Sequence, residues 1–185
     1  FMTENSLNRF DGYSFRSYSN NFDAKAVRRA EYWGISEDKD GKLWIPGTWQ
    51  GLYSYDPYHE KFQQYRHQKN NPQSLSTDLT ACIAADSNGD IWVGSYNGLD
   101  RLDKATGLFS HFAHDDNDTS TLASDDINGI FMDEHNNEKP SDNLWVIYYD
   151  AAALDCFNKK TGKLTRRYVI PFKKVVAKWG TGALT

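Results

Sequence analysis

The stretch that decides the fold runs from Asp86 to Phe112 and reads DSNGDIWVGSYNGLDRLDKATGLFSHF. A stretch of the same pattern, DKDGKLWIPGTWQGLYSYDPYHEKFQQY, begins at Asp38, 48 residues earlier. Trp44 and Trp92 are also 48 residues apart, and the two copies differ by one extra residue in the turn before the Gly-Leu pair. Self-similarity at a fixed period of this size is typical of repeat architectures. The chain is therefore built from repeated units.

Two further copies are less complete. The third copy begins its turn at Asp133, carries an insertion, and resumes around Trp145 as LWVIYYDAAALDCFNKKTGKLTRRY. In this copy Ala153 stands where the others have Gly51 and Gly98. The opening of the chain, FMTENSLNRFDGYSFRSY, aligns with the second half of a unit. We therefore expect that the chain begins in the middle of a repeat, as an excised or truncated piece would.

Each unit has the pattern of four short strands. Runs such as CIAAD, DIWVG, GLDRLD and LFSHF are rich in apolar and aromatic residues and partly alternate with period 2. The intervening clusters of Asp, Asn, Ser and Gly can take the positive φ that tight hairpins require. Four antiparallel strands in about 40 to 50 residues, repeated, are typical of a β-propeller blade. We predict an all-β fold, an incomplete propeller ring of about three to four four-stranded blades.

The repeat also predicts unit boundaries and structural residues. The predicted units are the C-terminal strands of a truncated blade (1–22), a blade (23–70), a blade (71–117), a blade with an insertion at about 135–142 (118–170), and a tail or further blade start (171–185). A short helix at Ala24–Tyr32 is the less favoured alternative to a loop and first strand. The residues assigned to the structural repeat are Trp44, Trp92, Trp145, Asp38, Asp86, Asp133, Gly51 and Gly98. The tryptophans lie in second strands, where an indole can pack between adjacent blades.

Composition excludes several classes of partner. The net charge is −4, and no block of like charges occurs, which argues against a nucleic-acid or anionic-membrane surface. No apolar run is long enough to span a bilayer. The two cysteines, Cys82 and Cys156, are too few for a disulfide scaffold or a tetrahedral zinc site, and we expect buried free thiols in preference to a redox pair. An incomplete ring leaves blade faces uncovered, so we expect the remaining blades or self-association to cover them.

No motif for a metal, a cofactor or a catalytic group is predicted. The turns DKDG and DSNG resemble calcium loops, but the EF-hand count puts Gly47 or Ser95 where a carboxylate is required, so hairpin turns are favoured. The acidic segment 114–126 is interpreted as a solvated loop, with a weakly bound cation as the alternative. The five histidines lack metal-site spacing.

A candidate ligand surface follows from propeller geometry. The loops that join second to third strands, and those that join one blade to the next, collect on one face around the central opening. The residues placed there are Trp49, Gln50, Tyr96, Asn97, Tyr148, Tyr149 and Asp150. An aromatic ring beside an amide or acid can stack on a sugar and bind its hydroxyls. The alternative interpretation is that these rings only cover the turn ends.

The repeat resembles the two-component regulator propeller repeat. The matching residues in the second full copy are Asp86, Gly89, Ile91, Trp92, Val93, Gly94, Ser95, Gly98, Leu99 and Asp103, after the NPQSL run at 71–75. In the first full copy they are Asp38, Gly41, Leu43, Trp44, Ile45, Gly47, Thr48, Gly51, Leu52 and Asp56. The resemblance implies the periplasmic sensor region of a membrane-anchored hybrid histidine kinase or a cyclic-dinucleotide signalling receptor. It also implies propellers of about seven blades in the whole protein, followed by a spacer, a membrane helix and a cytoplasmic output module.

The expected function is non-catalytic sensing of a small-molecule or oligosaccharide ligand, with carbohydrate suggested by the aromatic loops and by the family. One alternative is a protein–protein interaction scaffold of the WD-repeat or kelch kind, although the signature differs. The other is a propeller lyase or glycosidase, which needs paired carboxylates or a histidine–acid cluster near the central opening.

Overall fold

The described part of the chain folds entirely as β-structure. In the computed structural model, the described residues are 2–3, 6–18, 34–47, 49–133 and 141–170. Within them the regular elements are fifteen β-strands, arranged as one three-stranded sheet and three four-stranded sheets. No helix in these ranges is long and apolar enough to cross a membrane. The predicted short helix at 24–32 and the tail at 171–185 lie outside the described residues, as does most of the predicted insertion.

The strands follow the chain without crossovers. The first sheet contains β1 (Met2–Thr3), β2 (Ser6–Phe10) and β3 (Phe15–Tyr18). The second contains β4 (Ser36–Glu37), β5 (Leu43–Gly47), β6 (Gly51–Asp56) and β7 (Lys61–Tyr65). The third contains β8 (Thr80–Ala85), β9 (Ile91–Ser95), β10 (Gly98–Asp103) and β11 (Leu108–Phe112). The fourth contains β12 (Ile127–Met132), β13 (Asn143–Tyr148), β14 (Ala153–Asn158) and β15 (Lys163–Val169).

Each sheet is an antiparallel meander, and successive sheets pack face to face. Within a sheet every strand pairs with its sequence neighbour. Three clusters of buried side chains lie between the first and second, the second and third, and the third and fourth sheets. The predicted fold class, an incomplete propeller of four-stranded blades, is confirmed. The unit boundaries given above stay a prediction.

The turn between the first and second strands is built around one aspartate. Asp86 Oδ1 accepts hydrogen bonds from the backbone N–H groups of Asn88, Gly89 and Asp90, at 2.8 to 3.0 Å. Its other oxygen, Oδ2, accepts the indole N–H of Trp92 at 3.2 Å. A single aspartate therefore closes the hairpin and fixes the tryptophan, which explains why these two residues of the motif are six positions apart.

The preceding sheet repeats this arrangement. Asp38 Oδ1 accepts the backbone N–H groups of Asp40 and Lys42, and Asp38 Oδ2 accepts the indole N–H of Trp44 at 2.7 Å. In the third copy Asp133 Oδ2 accepts a hydrogen bond from the hydroxyl of Ser141 at 3.2 Å. The two residues are eight positions apart in the sequence, on either side of most of the insertion.

Trp44 and Trp92 fill the spaces between sheets. Trp92 is fully buried. Its ring lies 5.8 Å from that of Phe112 in its own sheet and 6.0 Å from that of Phe157 in the next sheet. Trp145 has the same position in the fourth sheet but is only half-buried, with Tyr168 at 6.1 Å. The environment of the three indoles therefore depends on whether a further sheet covers them.

Two turns require glycine. Gly51 and Gly98 have φ values of +75° and +92°. A Cβ on Gly98 would lie 2.4 Å from the carbonyl oxygen of Phe112, and one on Gly51 would lie 2.2 Å from that of Tyr65.

Both cysteines are buried and unlinked, and burial raises the pKa of the Cys82 thiol to about 12.

Candidate functional site

One face of the molecule collects the turns and loops that the sequence assigned to ligand contact. We call it the connecting-loop face; it consists of the turns 49–51, 95–98 and 148–153 and the linking loops 66–79 and 113–126. Backbone hydrogen bonds join these parts, since Gly51 N donates to Asp78 O and Gly98 N donates to Asp125 O, both at 2.9 Å. The turns at Gly51 and Gly98 therefore each lie directly against the loop that enters the next sheet.

Three aromatic rings stand out from this face. Trp49, Tyr96 and Tyr149 are 62%, 54% and 79% exposed. They occupy the corresponding turn in the second, third and fourth sheets, so successive sheets each present one ring. Next to them Asn97 and Asp150 are exposed as well. The arrangement offers flat apolar surfaces beside groups that can donate or accept hydrogen bonds.

Gln50 is held by its own sheet. Its side-chain oxygen accepts a hydrogen bond from Arg66 Nη1 at 3.0 Å, and its backbone oxygen accepts one from Gln64 Nε2 at 2.9 Å. Arg66 in turn forms an ion pair with Asp78 at 2.6 Å. These residues border an open polar hollow of about 590 Å³ that follows β7. Gln50 therefore connects the connecting-loop face with a groove on the outer edge of the second sheet.

Tyr148 differs from the other predicted ligand residues. It is 7% exposed, and its hydroxyl donates to Asp155 Oδ2 at 2.6 Å. Burial, together with the hydrogen bond to Asp155, raises the pKa of this phenol well above its ordinary value. The contacts of Tyr148 are those of a structural side chain beneath the loop.

Two aspartates lie near Tyr149, namely its sequence neighbour Asp150 and Asp126, whose backbone carbonyl it contacts. The backbone N–H of Tyr149 donates to Asp126 O at 3.0 Å. Burial and the nearby charge of Asp150 raise the pKa of the Asp126 carboxyl. A carboxyl group with a raised pKa beside an exposed carboxylate is one of the arrangements that general acid–base chemistry uses.

Two buried aspartates that the sequence analysis missed hold the linking loops. Asp100 is fully buried, and its Oδ2 accepts the backbone N–H and the hydroxyl of Ser76, at 3.0 and 2.9 Å. Asp155 does the same for the next loop through the N–H of Ala123, at 3.0 Å. Cationic neighbours complete both sites, namely His111 at Asp100 and Arg167 at Asp155. The recurring Leu-Asp pair at 99–100 and 154–155 was the available signal.

The opposite face carries a second contact that the sequence did not predict. Lys104, in the turn after β10, places its ammonium 2.5 Å from Asp38 Oδ2 in the preceding sheet. Lys159, in the corresponding turn of the fourth sheet, lies 3.3 Å from Asp86 Oδ2. In the second sheet this position is Pro57. A lysine thus joins each of the two later sheets to the aspartate turn of the sheet before it.

No cluster of three or more potential metal-ligating side chains occurs among the residues for which the structure gives positions. The functional groups that the connecting-loop face offers are aromatic rings, amides and carboxylates.

Comparison with known proteins identifies the repeat. The sequence model of the two component regulator propeller matches residues 74–97, which include Asp86 and Trp92. The resemblance that the motif predicted is thus confirmed for residues 74–97. These residues run from the linking loop, where Leu75 is buried, to the turn after β9, where Tyr96 is exposed. No curated protein matches the chain.

Solved structures share the fold of these repeats. The extracellular domain of a hybrid two component system from B. thetaiotaomicron aligns with 24% identity and a TM-score of 0.67 over 90% of this chain. The extracellular domain of a one component system from the same organism aligns with 22% identity and a TM-score of 0.65 over 88% of this chain. The alignments cover 22% of each of those two chains. Virginiamycin B lyase from Staphylococcus aureus aligns with 16% identity and a TM-score of 0.64, over 91% of this chain and 50% of that one.

Proposed function

We propose that this chain is part of the ligand-sensing propeller of a bacterial two-component receptor, located outside the cytoplasmic membrane, and that it binds carbohydrate on the connecting-loop face. The observation that carries the proposal is the repetition of one exposed aromatic ring in the corresponding turn of three successive sheets, at Trp49, Tyr96 and Tyr149. The regulator-propeller repeat and the similarity to extracellular domains of bacterial signalling systems support the sensor part of the proposal.

The chemistry of the three turns favours a sugar chain over a small apolar ligand. Each ring offers one flat apolar face, while Asn97 and Asp150 offer hydrogen-bonding groups at its side. Because the rings are presented by separate sheets, an extended ligand with repeated units can engage several at once, which multiplies a weak individual contact.

The support beneath the rings suits a binding site. The linking loops are fixed from below by the fully buried carboxylates of Asp100 and Asp155. Loops held in this way lose little conformational entropy when a ligand binds, so more of the contact energy appears as affinity. A binding site that performs no chemistry needs only this rigidity. Its occupancy is relayed by shifting the equilibrium between two arrangements of the surrounding propeller.

Binding to polysaccharides tests the proposal. Soluble neutral glucans and acidic polygalacturonate are titrated into the protein by calorimetry, with Trp49→Ala, Tyr96→Ala and Tyr149→Ala as variants. Loss of a stacking ring is expected to weaken binding by about tenfold per ring. The matched control is Tyr58→Ala, because Tyr58 is 90% exposed in the turn after β6, on the opposite face. Equal losses in Tyr58→Ala and the other three variants, or no saturable binding to any sugar, would overturn the carbohydrate proposal.

A lyase or glycosidase is the second candidate, and one observation favours it. Asp126, whose pKa is raised, lies close to the charge of Asp150 beside Tyr149, and a carboxyl pair of this kind can supply a general acid and a base. Chromatography of the incubated polysaccharides decides between the candidates. New chain ends that disappear with Asp126→Asn indicate the enzyme, whereas unaltered polymers that still bind indicate the sensor.

A further inference from the structure

Two aspartates occupy corresponding places under the turns of the second and third sheets. Gly51 N donates to the backbone oxygen of Asp78, and Gly98 N donates to that of Asp125, both at 2.9 Å. The side chains agree as well, since Oδ1 of each aspartate accepts the backbone N–H of the histidine eleven residues earlier, at 2.8 and 2.7 Å. Up to Oδ1, the two carboxylates therefore have the same setting.

The partners of the other carboxylate oxygen differ. Asp78 Oδ2 accepts two hydrogen bonds from the guanidinium of Arg66, from Nε at 3.1 Å and from Nη2 at 2.6 Å. The same guanidinium donates through Nη1 to Gln50 Oε1 at 3.0 Å. In the second sheet one cation thus joins the carboxylate under the turn to the amide side chain on the turn.

In the third sheet the residue at the arginine position is Ala113. The strand register establishes this, because the residue before each of the two pairs with the leucine that follows the turn glycine. Ala113 is exposed, and its Cα lies 3.3 Å from the place that a Cβ on Gly98 would take, so it borders the turn. Asn97 precedes the turn glycine as Gln50 does.

The third sheet therefore keeps both acceptors of this arrangement without the arginine. Within the described part of the chain, neither Asp125 Oδ2 nor the side-chain amide of Asn97 has a hydrogen-bond or ion-pair partner. Both groups remain able to accept hydrogen bonds from a cation that is not part of these sheets.

The neighbouring histidine does not take the place of the arginine. The imidazole of His114 lies with Nδ1 2.6 Å from Leu122 O and with Nε2 2.9 Å from Asp116 Oδ1. Both ring nitrogens are thus engaged away from Asp125 Oδ2. Asp126 adds a second carboxylate next to Asp125, and neither forms an ion pair with a lysine or an arginine among the residues whose positions are described. The local potential therefore attracts a cation.

Tyr96 indicates which kind of cation fits. Its exposed ring stands on the same turn, one residue before Asn97. An aromatic face beside a carboxylate and an amide suits a ligand in which an apolar ring face carries a positive substituent. On the basis of the carbohydrate function proposed above, we propose that Asp125 and Asn97 bind the ammonium group of an amino sugar, in the position that the Arg66 guanidinium has in the preceding sheet.

Two sugars that differ only at the nitrogen test the site. The tetramers of glucosamine and of N-acetylglucosamine are titrated into the protein by calorimetry at mildly acidic pH, where the free amines are charged. The glucosamine tetramer should bind about tenfold more tightly, because acetylation removes the charge. Asp125→Asn should abolish the difference, whereas Tyr96→Ala should weaken both sugars alike. The matched control Asp115→Asn removes an exposed carboxylate from the same loop and should keep the difference.

An arginine at position 113 gives a readout that needs no sugar. Ala113→Arg should fill the cation position from within the chain and lower the unfolding equilibrium constant in urea by about threefold. The stabilisation should disappear when Asp125→Asn is also present. Ala113→Arg should also weaken binding of the glucosamine tetramer by about tenfold. The control Thr119→Arg adds the same charge at an exposed position of the same loop and should reproduce neither effect.

The outcomes separate the ammonium site from the carbohydrate function. Equal binding of the two tetramers, or a difference that survives Asp125→Asn, overturns the ammonium site alone. Binding of neither tetramer overturns it too, and failure of every other sugar as well overturns the carbohydrate function. A tetra-arginine peptide that binds more tightly than the glucosamine tetramer would assign the position to a polypeptide instead. Equal stabilisation by Ala113→Arg with and without the Asp125 carboxylate would show that no cation position exists there.

Discussion

The ammonium of Lys104 lies 2.5 Å from Oδ2 of Asp38, across the interface between the third and second sheets. The same carboxylate oxygen accepts the indole N–H of Trp44 at 2.7 Å. Burial alone would raise the pKa of Asp38, but the hydrogen bonds from Lys104 and Trp44 outweigh it, and the pKa lies below its ordinary value. One aspartate thus links a turn, a core indole and the neighbouring sheet.

Replacement of Lys104 tests this link. Lys104→Met leaves the fully buried Asp38 carboxylate without its cation, and breaking a buried pair in this way costs about 3 kcal/mol or more of the free energy of unfolding. The matched control is Lys163→Met, which breaks the half-exposed pair with Asp118 and should cost about 0 to 1 kcal/mol. Urea denaturation of both variants measures the difference. Equal costs would mean that the Lys104 contact is no more than a surface ion pair.

The second prediction compares two tryptophans at equivalent positions. Trp92→Ala removes an indole enclosed by Phe112 and Phe157 and should cost about 3 to 5 kcal/mol. Trp145→Ala should cost clearly less, because its indole is only half-buried. Thermal denaturation of the two variants, checked by circular dichroism at low temperature, provides the comparison. A larger loss for Trp145→Ala would show that its open side is covered in solution.

The sequence predicted the architecture because the residues that recur in the repeat are those that the turns and the interfaces between sheets require. The aspartate, the glycine and the tryptophan of the DSNGDIW segment each act within a few residues of one another, through the Asp86 turn and its bond to Trp92. Because these contacts are local, the residues that make them recur at a regular spacing, which the sequence alone reveals.

The contacts that sequence analysis missed join distant positions. Lys104 and Asp38 are 66 residues apart, and nothing local to either marks the other as its partner. Asp100 was overlooked because a carboxylate in a strand normally faces solvent, whereas here it is buried under Ser76 and the linking loop.

Tyr148 was grouped with Tyr149 as a ligand residue because neighbouring aromatic residues in a turn look alike. Strand alternation places one inside and the other outside.

The third prediction concerns pH. The hydrogen bond that His111 Nδ1 donates to Asp100 Oδ1 raises the pKa of His111, so the charged form of the imidazole is favoured in the folded state. The resulting stabilisation is complete below the unfolded pKa of about 6.5 and is lost as pH rises through the higher folded value. His114 contributes in the same direction, through Leu122 O and Asp116.

The free energy of unfolding should therefore fall between pH 6 and pH 8. His111→Gln should reduce this slope without removing it, since His114 still titrates, and the double variant His111→Gln/His114→Gln should flatten it further. Denaturation midpoints at half-unit pH intervals measure the slope. A wild-type midpoint that rises over this window would contradict the assignment.

The last prediction separates two effects of a glycine in a turn. Gly98 and Gly107 both have positive φ, +92° and +74°, so alanine at either position carries the cost of about 1 to 2 kcal/mol that L-residues incur in that region. A Cβ at Gly107 meets no atom within 4 Å, whereas one at Gly98 would lie 2.4 Å from the carbonyl oxygen of Phe112. Because β10 and β11 would have to separate to relieve that clash, Gly98→Ala should destabilise the protein by clearly more than Gly107→Ala in urea denaturation. If the two variants lose the same stability, the backbone conformation alone explains why glycine recurs in the turn, and the close approach of the two strands contributes nothing.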